Sequence, residues 1–410
     1  MATLPMDTLL TQAQSLSGAL TTLRRAIHEE PELGLHTPRT MAKVRAALAH
    51  LPLEWREGTS TTGAVALLRG GAGPMEGRRT VLLRGDMDAL PMGEKTGLPY
   101  ASAIAGRMHA CGHDAHTAML TGAVQLLSAR AESLPGDVLF MFQPGEEGHH
   151  GARFMIEDGL IDKVWGLTPD AAFALHVMPN APHGQVQGRA GALMASADQI
   201  EILVSGAGGH ASMPHHAADP IPVACEIVTA IQTMVTRQFD AHDPVVITIA
   251  KIEAGSAHNV IPDTAHLRGT MRSLSPGARA ALREKLTRLI EHIAAAHGMK
   301  ARLTVHPGFP VTLCDPRAVA LAERVSDTLF GPDMFHTLPA PIMGAEDFSY
   351  VLERAPGAML FLGVAHEGVD AASAKGIHSP RMLVDEAALP RGSALLAGLA
   401  QRFLESGFPA

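Results

Sequence analysis

Ten residues, Met108 to Thr117, hold three histidines, a cysteine and an aspartate, in the order Met108-His109-Ala110-Cys111-Gly112-His113-Asp114-Ala115-His116-Thr117. A thiol and an imidazole two residues apart, at the mouth of a helical pattern, are donors for a divalent cation. The remaining donors must come from elsewhere in the chain. Three stand in comparable places, since Glu147, His176 and His378 each follow an apolar, strand-like run. Thiolate, imidazole and carboxylate together suit zinc, manganese, cobalt or nickel without choosing among them. Five donors exceed the usual four of a tetrahedral zinc site, and two ions sharing a bridging ligand would account for the surplus. Taken singly, Cys111 is an ordinary buried cysteine and His113 an ordinary helix-end histidine. Their recurrence with Glu147, His176 and His378 at strand ends favours a metal site.

The adjacent carboxylates Glu146-Glu147 read as divided labour, with Glu147 a ligand and Glu146 taking the proton of the attacking water. Asp88 is expected to orient an imidazole ligand from behind, while Asp86 reads as a strand-end aspartate that can cap a turn. His109 and His116 read as supporting or structural residues. Further along, Gly206-Ala207-Gly208-Gly209-His210 is a glycine-rich loop with a histidine at its tip. It lacks the Lys-Ser/Thr ending of a phosphate loop. Asn259 and Arg272 are polar residues at strand ends, and Arg272 suits a bidentate pair with a substrate carboxylate.

The elements that must carry these residues alternate. Helical spacing runs from Thr8 to Ala26 and is stopped by Pro31; a second helix follows Thr37 as N-cap with Pro38 at its first position. Apolar runs at Thr80–Arg84, Asp137–Phe142, Ala171–Leu175 and Ala358–Leu362 predict buried strands, with helices at Thr117–Ala129 and from Gly151 between them. Continuous apolar strands interleaved with helices imply an α/β layer fold, a mixed, largely parallel sheet sandwiched by helices. In such sheets ligands bind beyond the carboxyl ends of the strands, which is where the candidate donors fall. Between about Ala192 and Pro307 the order becomes β-α-β-β-α-β, which predicts a ferredoxin-like α+β domain of four strands and two helices inserted into the first. The expected boundaries are 1–191, 192–307 and 308–410.

Length and composition bound the rest. The chain has 410 residues, 46% hydrophobic and 18% charged, enough for two globular domains. A net charge of −8 and 4% aromatics speak against nucleic acid as a partner. Three widely spaced cysteines, Cys111, Cys225 and Cys314, do not make a disulfide framework. The opening Met1-Ala2-Thr3-Leu4-Pro5-Met6-Asp7 has no basic start or apolar core, and no apolar run approaches membrane-spanning length. A cytoplasmic protein with no membrane partner is expected.

The motifs in order are Arg24-Arg25-Ala26-Ile27-His28-Glu29-Glu30-Pro31-Glu32-Leu33-Gly34, Gly85-Asp86-Met87-Asp88-Ala89-Leu90-Pro91, Met108 to Thr117, Gln143 to Glu147, Gly208 to Pro214, Asn259-Val260-Ile261-Pro262, Gly344-Ala345-Glu346-Asp347-Phe348 and His378-Ser379-Pro380. This series resembles the metallopeptidase family of aminoacylases, glutamate carboxypeptidases and succinyl-diaminopimelate desuccinylases. It is most similar to the branch of hippurate hydrolases and N-acyl-L-amino acid amidohydrolases, which includes plant hydrolases of auxin–amino acid conjugates. The resemblance implies a zinc-exopeptidase-like catalytic domain with an inserted lid and dimerisation domain, two divalent ions per subunit, and a homodimer or higher homo-oligomer. It implies hydrolysis of N-acyl or N-aroyl amino acids. Cys111, His113, Glu147, His176 and His378 match the ligands, Glu146 the general base and Asp88 the catalytic aspartate. His210 matches an oxyanion-stabilising histidine that serves a neighbouring subunit, and Asn259 and Arg272 match substrate-binding residues. An N-acetyl-diaminopimelate deacetylase or an aminobenzoyl-glutamate hydrolase is the nearer alternative. A non-catalytic metal-binding homologue is the farther one, which the intact Glu146 argues against. The chain departs from the wider family at Asp86, where His-x-Asp is usual, and at His149-His150, where glycine is usual.

Overall fold

The computed structural model describes residues 5–6, 8–74, 77–161 and 164–409; most of the Met1–Asp7 opening lies outside them. The chain folds into two compact units. One comprises Met1–Leu193, Leu313–Ala340 and Asp347–Ala410, the other Met194–Thr312 and Pro341–Glu346.

The first unit is built on an eight-stranded mixed sheet. Its spatial order is Glu54–Glu57, Ala64–Leu68, Gly136–Gln143, Arg79–Asp86, Ala171–Met178, Gly357–Gly363, Val186–Gly188 and Phe335–Thr337. The central strands run parallel: Arg79–Asp86 pairs with Gly136–Gln143 on one side and with Ala171–Met178 on the other, and Gly357–Gly363 continues in the same sense. The Gly136–Gln143 and Gly357–Gly363 strands are buried at every position, which requires cover on both faces. Part of that cover comes from the helices His113–Ser128 and Leu389–Ser406, which pack on each other and on the Arg79–Asp86 strand. Because the parallel strands share one direction, Asp86, Gln143 and His176 come to the same edge of the sheet.

Three local expectations are corrected. The helical run from Thr8 is two helices, Thr8–Ser15 and Ser17–Glu29, because the Leu16 amide closes on Ala13, three residues back, instead of continuing the α ladder. Thr37 makes no side-chain cap. Instead the buried Glu32 carboxylate accepts the Arg39 and Thr40 amides at 3.2 and 2.8 Å and closes the helix Pro38–Leu48 from outside. The helix expected from Thr117 begins at His113. Gly112 takes a left-handed φ of 93°, and its carbonyl accepts the Ala115 and His116 amides.

The second unit carries strands Asp198–Ser205, Val245–Ala254, Thr264–Ser273 and Lys300–His306 with helices Pro220–Gln238 and Pro276–Ala296. The sheet order is second, third, first, fourth, all antiparallel, as a βαββαβ unit requires. Each helix opens with a side-chain cap followed by proline: Asp219 accepts the Ile221 amide and Ser275 the Ala278 amide. Val223, Ile227 and Ile231 on one helix, and Leu282, Leu286 and Ile290 on the other, recur every fourth residue and bury against Ile200, Ile202 and Val204. Each such side chain contributes roughly 1.5–3 kcal/mol of burial. No helix among the described residues is long and apolar enough to cross a membrane.

Candidate metal centre and active site

At the shared strand edge, five segments bring donor atoms together. Cys111 Sγ lies 3.3 Å from His176 Nε2, at the end of the Ala171–Met178 strand. His113 stands on the first turn of its helix, with Nε2 3.6 Å from Asp86 Oδ2 and 4.0 Å from Glu147 Oε1. His378 Nε2 lies 3.4 Å from the same Glu147 oxygen. Donor atoms of Cys111, His113 and His176 fall within 4.8 Å of one another, as do those of Cys111, Glu147 and His378. Cys111 is therefore common to two donor triads, the arrangement a bridging thiolate would need.

The backbone is bent to make this possible. Gly112 cannot carry a side chain: beside its positive φ, a Cβ would stand 2.3 Å from Val177 Cγ2. Glu146–His149 is a single irregular turn, with Gly145 just before it at φ 71° and Gly148 within it at φ 77°. His378 holds φ 63°, which non-glycine residues avoid, and its amide is tied to the Ala110 carbonyl at 2.6 Å. Such strain persists where surrounding contacts over-determine it, and it concentrates at functional sites.

The unpaired atoms fit a cation. Both His113 ring nitrogens and Glu147 Oε1 are buried without a hydrogen-bond partner, a costly state unless something else satisfies them. Burial pushes the Cys111 thiol up and His176 well down. At His378, Cys111 and Glu147 outweigh partial burial and raise the imidazole to about 10. The cluster is a concentration of negative and lone-pair donors that calls for positive charge.

Glu146 is buried, and its carboxylate lies within 4.8 Å of donor atoms of His113 and Glu147. Asp88 holds the turn that bears both glutamates, Oδ1 accepting the Glu146 amide at 3.0 Å and Oδ2 the Glu147 amide at 3.1 Å. Its Oδ1 is also 3.4 Å from His113 Nδ1, in reach of the ring without a well-formed hydrogen bond. His109 is buried with both nitrogens unpartnered, and burial takes its pKa down to about 3. Asp114, in the first turn, accepts from Arg24 and His28.

His210, Asn259 and Arg272 belong to the second unit. A two-stranded ribbon, Gly209–His210 against Val260–Ile261, brings His210 beside Asn259; both are exposed, and His210 Nδ1 accepts from the Ser212 amide. Arg272 is half-buried on the Thr264–Ser273 strand and donates to the Met343 carbonyl at 2.9 Å.

Sequence reasoning missed one set of residues. Arg84, Asp86, Gln143 and Asp347 form a buried network in which Arg84 donates to all three others. Asp347 also accepts from Gln143 Nε2 and from the Ala152 amide. Asp86 is thus no simple turn cap. The available signal was Arg84 itself, a charge closing an otherwise apolar strand, which must be paired if buried.

The sequence matches the model of the family described as Peptidase family M20/M25/M40 over residues 82–402. The chain belongs to that family. It is 37% identical over 394 residues to a probable hydrolase of Synechocystis sp., covering 96% of this chain and 98% of the relative. It is also 37% identical to the N-acetyl-L-cysteine deacetylase of Bacillus subtilis, covering 96% and 90% of the two chains. Among solved structures, the Bacillus subtilis YxeP protein, described as a dinuclear metal binding peptidase of the M20 family, superposes with a TM-score of 0.82 at 33% identity, covering 96% and 99%. The resemblance read from the motifs is borne out, and the chain is a hydrolase-family protein whose donor cluster suits a divalent metal cofactor.

Proposed function

We propose that this protein is a metal-dependent amidohydrolase that cleaves N-acyl or N-aroyl amino acids, of which hippurate is the model, into a carboxylic acid and a free amino acid. The observation that carries it is Cys111 shared between two donor triads with a buried Glu146 alongside. Cys111, His113, Glu147, His176 and His378 would hold two divalent ions, zinc, manganese, cobalt or nickel. Such ions, when bound, polarise the amide carbonyl and make water acidic enough to attack near neutral pH.

The chain's own residues do the rest. Glu146 accepts the proton of the attacking water and returns it to the leaving amine, as a general base and then a general acid. Asp88 fixes the backbone from which Glu146 projects. In this proposal His210 donates to the oxyanion, where charge develops in the transition state. Arg272 and Asn259 bind the substrate carboxylate and so orient the scissile bond. The assembly is a homodimer, in which His210 serves the neighbouring subunit.

A relative acting on N-acetyl-L-cysteine favours a second reading, a deacetylase preferring short acyl groups. The test is a panel of N-benzoyl, N-acetyl and p-aminobenzoyl amino acids, N-acetyl-diaminopimelate included, on chelator-stripped protein. Each divalent ion is added back in turn. Metal-restored release of glycine from hippurate is expected, faster than from N-acetylglycine. Faster acetyl release moves the assignment to a deacetylase, and no release with any ion removes the amidohydrolase reading.

A further inference from the structure

Asp86 ends the Arg79–Asp86 strand, and each of its carboxylate oxygens has a buried partner. Oδ2 pairs with the Arg84 guanidinium, and Oδ1 lies 2.6 Å from His116 Nδ1. Asp86, Arg84 and His116 are all essentially inaccessible to solvent. Arg84 is itself braced by Gln143 Oε1 at 2.9 Å and by Asp347 Oδ1 at 3.1 Å.

The directions of the hydrogen bonds beyond His116 follow from chemistry. The Val177 amide can only donate, and it meets His116 Nε2 at 2.8 Å. That nitrogen must therefore be the bare acceptor, so the proton sits on Nδ1 and is given to Asp86. The next ring is set in the same way. The Val177 carbonyl can only accept, and it lies 2.7 Å from His176 Nδ1. His176 therefore carries its proton on Nδ1, leaving the Nε2 lone pair facing Cys111 Sγ at 3.3 Å. One residue, Val177, is gripped by His116 at its amide and grips His176 at its carbonyl.

We infer that Arg84, Asp86 and His116 form a positioning relay that fixes the His176 ring and tautomer through Val177, and that Asp86 is not itself a metal ligand. The inference rests on the proposed metal site. Each Asp86 oxygen already accepts from a buried partner, Arg84 or His116, and the fixed positive charge of Arg84 against the carboxylate opposes a second cation there. His116 has both ring nitrogens spent, so although the Asp86–His113–His116 group is close enough for a cation, only His113 in it keeps a free nitrogen. An anion neutralised by a buried arginine thus stands behind the proposed ligands. Through His116 and Val177 it steadies His176. Partners of this kind change metal affinity by about 10- to 100-fold.

The test begins on metal-free wild-type protein with 15N-labelled histidine, since two-bond 1H–15N correlations report which ring nitrogen is protonated. Protons on Nδ1 of both His116 and His176 are expected; either ring in the opposite tautomer overturns the relay. This readout needs neither metal nor activity, so it stands even if the metal reading fails. Zinc affinity is then measured by chelator competition in Asp86→Asn, His116→Leu and His116→Gln. The first two should weaken binding about 10- to 100-fold while keeping the wild-type metal stoichiometry, and should mix the His176 tautomers. Glutamine can accept from Val177 and donate to Asp86, so His116→Gln should recover most of the loss. Unchanged affinity and tautomer in Asp86→Asn and His116→Leu overturns the proposal, as does loss of one ion per subunit in Asp86→Asn. Wild-type protein that binds no zinc would instead remove the metal reading.

Discussion

Glu146 and Glu147 are neighbours in sequence but not in chemical setting. Glu147 Oε1 is a buried unpaired acceptor between two imidazoles, whereas Glu146 stands one residue back on a turn pinned by Asp88. Glu146→Ala should lower kcat by about 10²–10⁴-fold or more while metal content, measured by elemental analysis, stays near wild type. Full activity in that variant would remove Glu146 as the base. A second residue-scale prediction concerns His28, held between Asp114 at 2.8 Å and Glu94 at 3.2 Å. Burial opposes its charge, but the two carboxylates win and raise its pKa from 6.5 to about 9. The folded state therefore binds the proton more tightly than the unfolded chain. The stabilisation, roughly 3 kcal/mol at most, is complete below about pH 6.5 and lost as pH rises through about 9. The Tm difference between wild type and His28→Gln should shrink between pH 6.5 and 9.5; a difference that is constant with pH would contradict the ion pair.

At the scale of elements, the site depends on how the His113–Ser128 helix starts. Four residues of helix precede the point at which sequence periodicity becomes apolar, and they carry His113 and His116 to the strand edge. Gly112 permits that start through its left-handed backbone and its closeness to Val177. Gly112→Ala should destabilise by about 1–2 kcal/mol from the backbone alone, with about 1–3 kcal/mol more from overpacking. Because the clash falls on Val177, it should also reduce metal affinity. Thermal melts and chelator competition on the same samples would check both. A stable variant with normal affinity would show that the helix start has slack the geometry does not allow.

At the scale of the molecule, all five proposed ligands lie in the first compact unit and none in the second. Cations that bind only the folded form stabilise it by mass action, by about 2.7 kcal/mol at one hundred times Kd. Zinc added to stripped protein should therefore raise the melting transition of the first unit and leave that of the second in place. Cys111→Ser should abolish most of the rise, since both triads lose their shared member. Differential scanning calorimetry separates the two transitions, and an equal shift in both would argue against a centre confined to one unit.

Much of this molecule was legible as a string. Apolar runs placed the parallel strands because a strand buried on both faces leaves no alternation to misread. The second unit's βαββαβ order followed from the succession of strand-like and helical runs between about Ala192 and Pro307, a local property of the chain. Cys111, His113, Glu147, His176 and His378 were nameable because donors at strand ends are brought to one edge by parallel pairing. What the linear pattern could not supply was direction. Whether Asp86 faces an arginine, a metal or solvent depends on Arg84, Gln143 and Asp347, which lie up to 263 positions apart in the chain. Which nitrogen of His116 carries the proton depends on a Val177 amide that any residue but proline would offer. Hydrogen-bond direction and backbone strain are properties of neighbours in space, so only the folded chain could decide that Asp86 braces the site and that Gly112 must be bare.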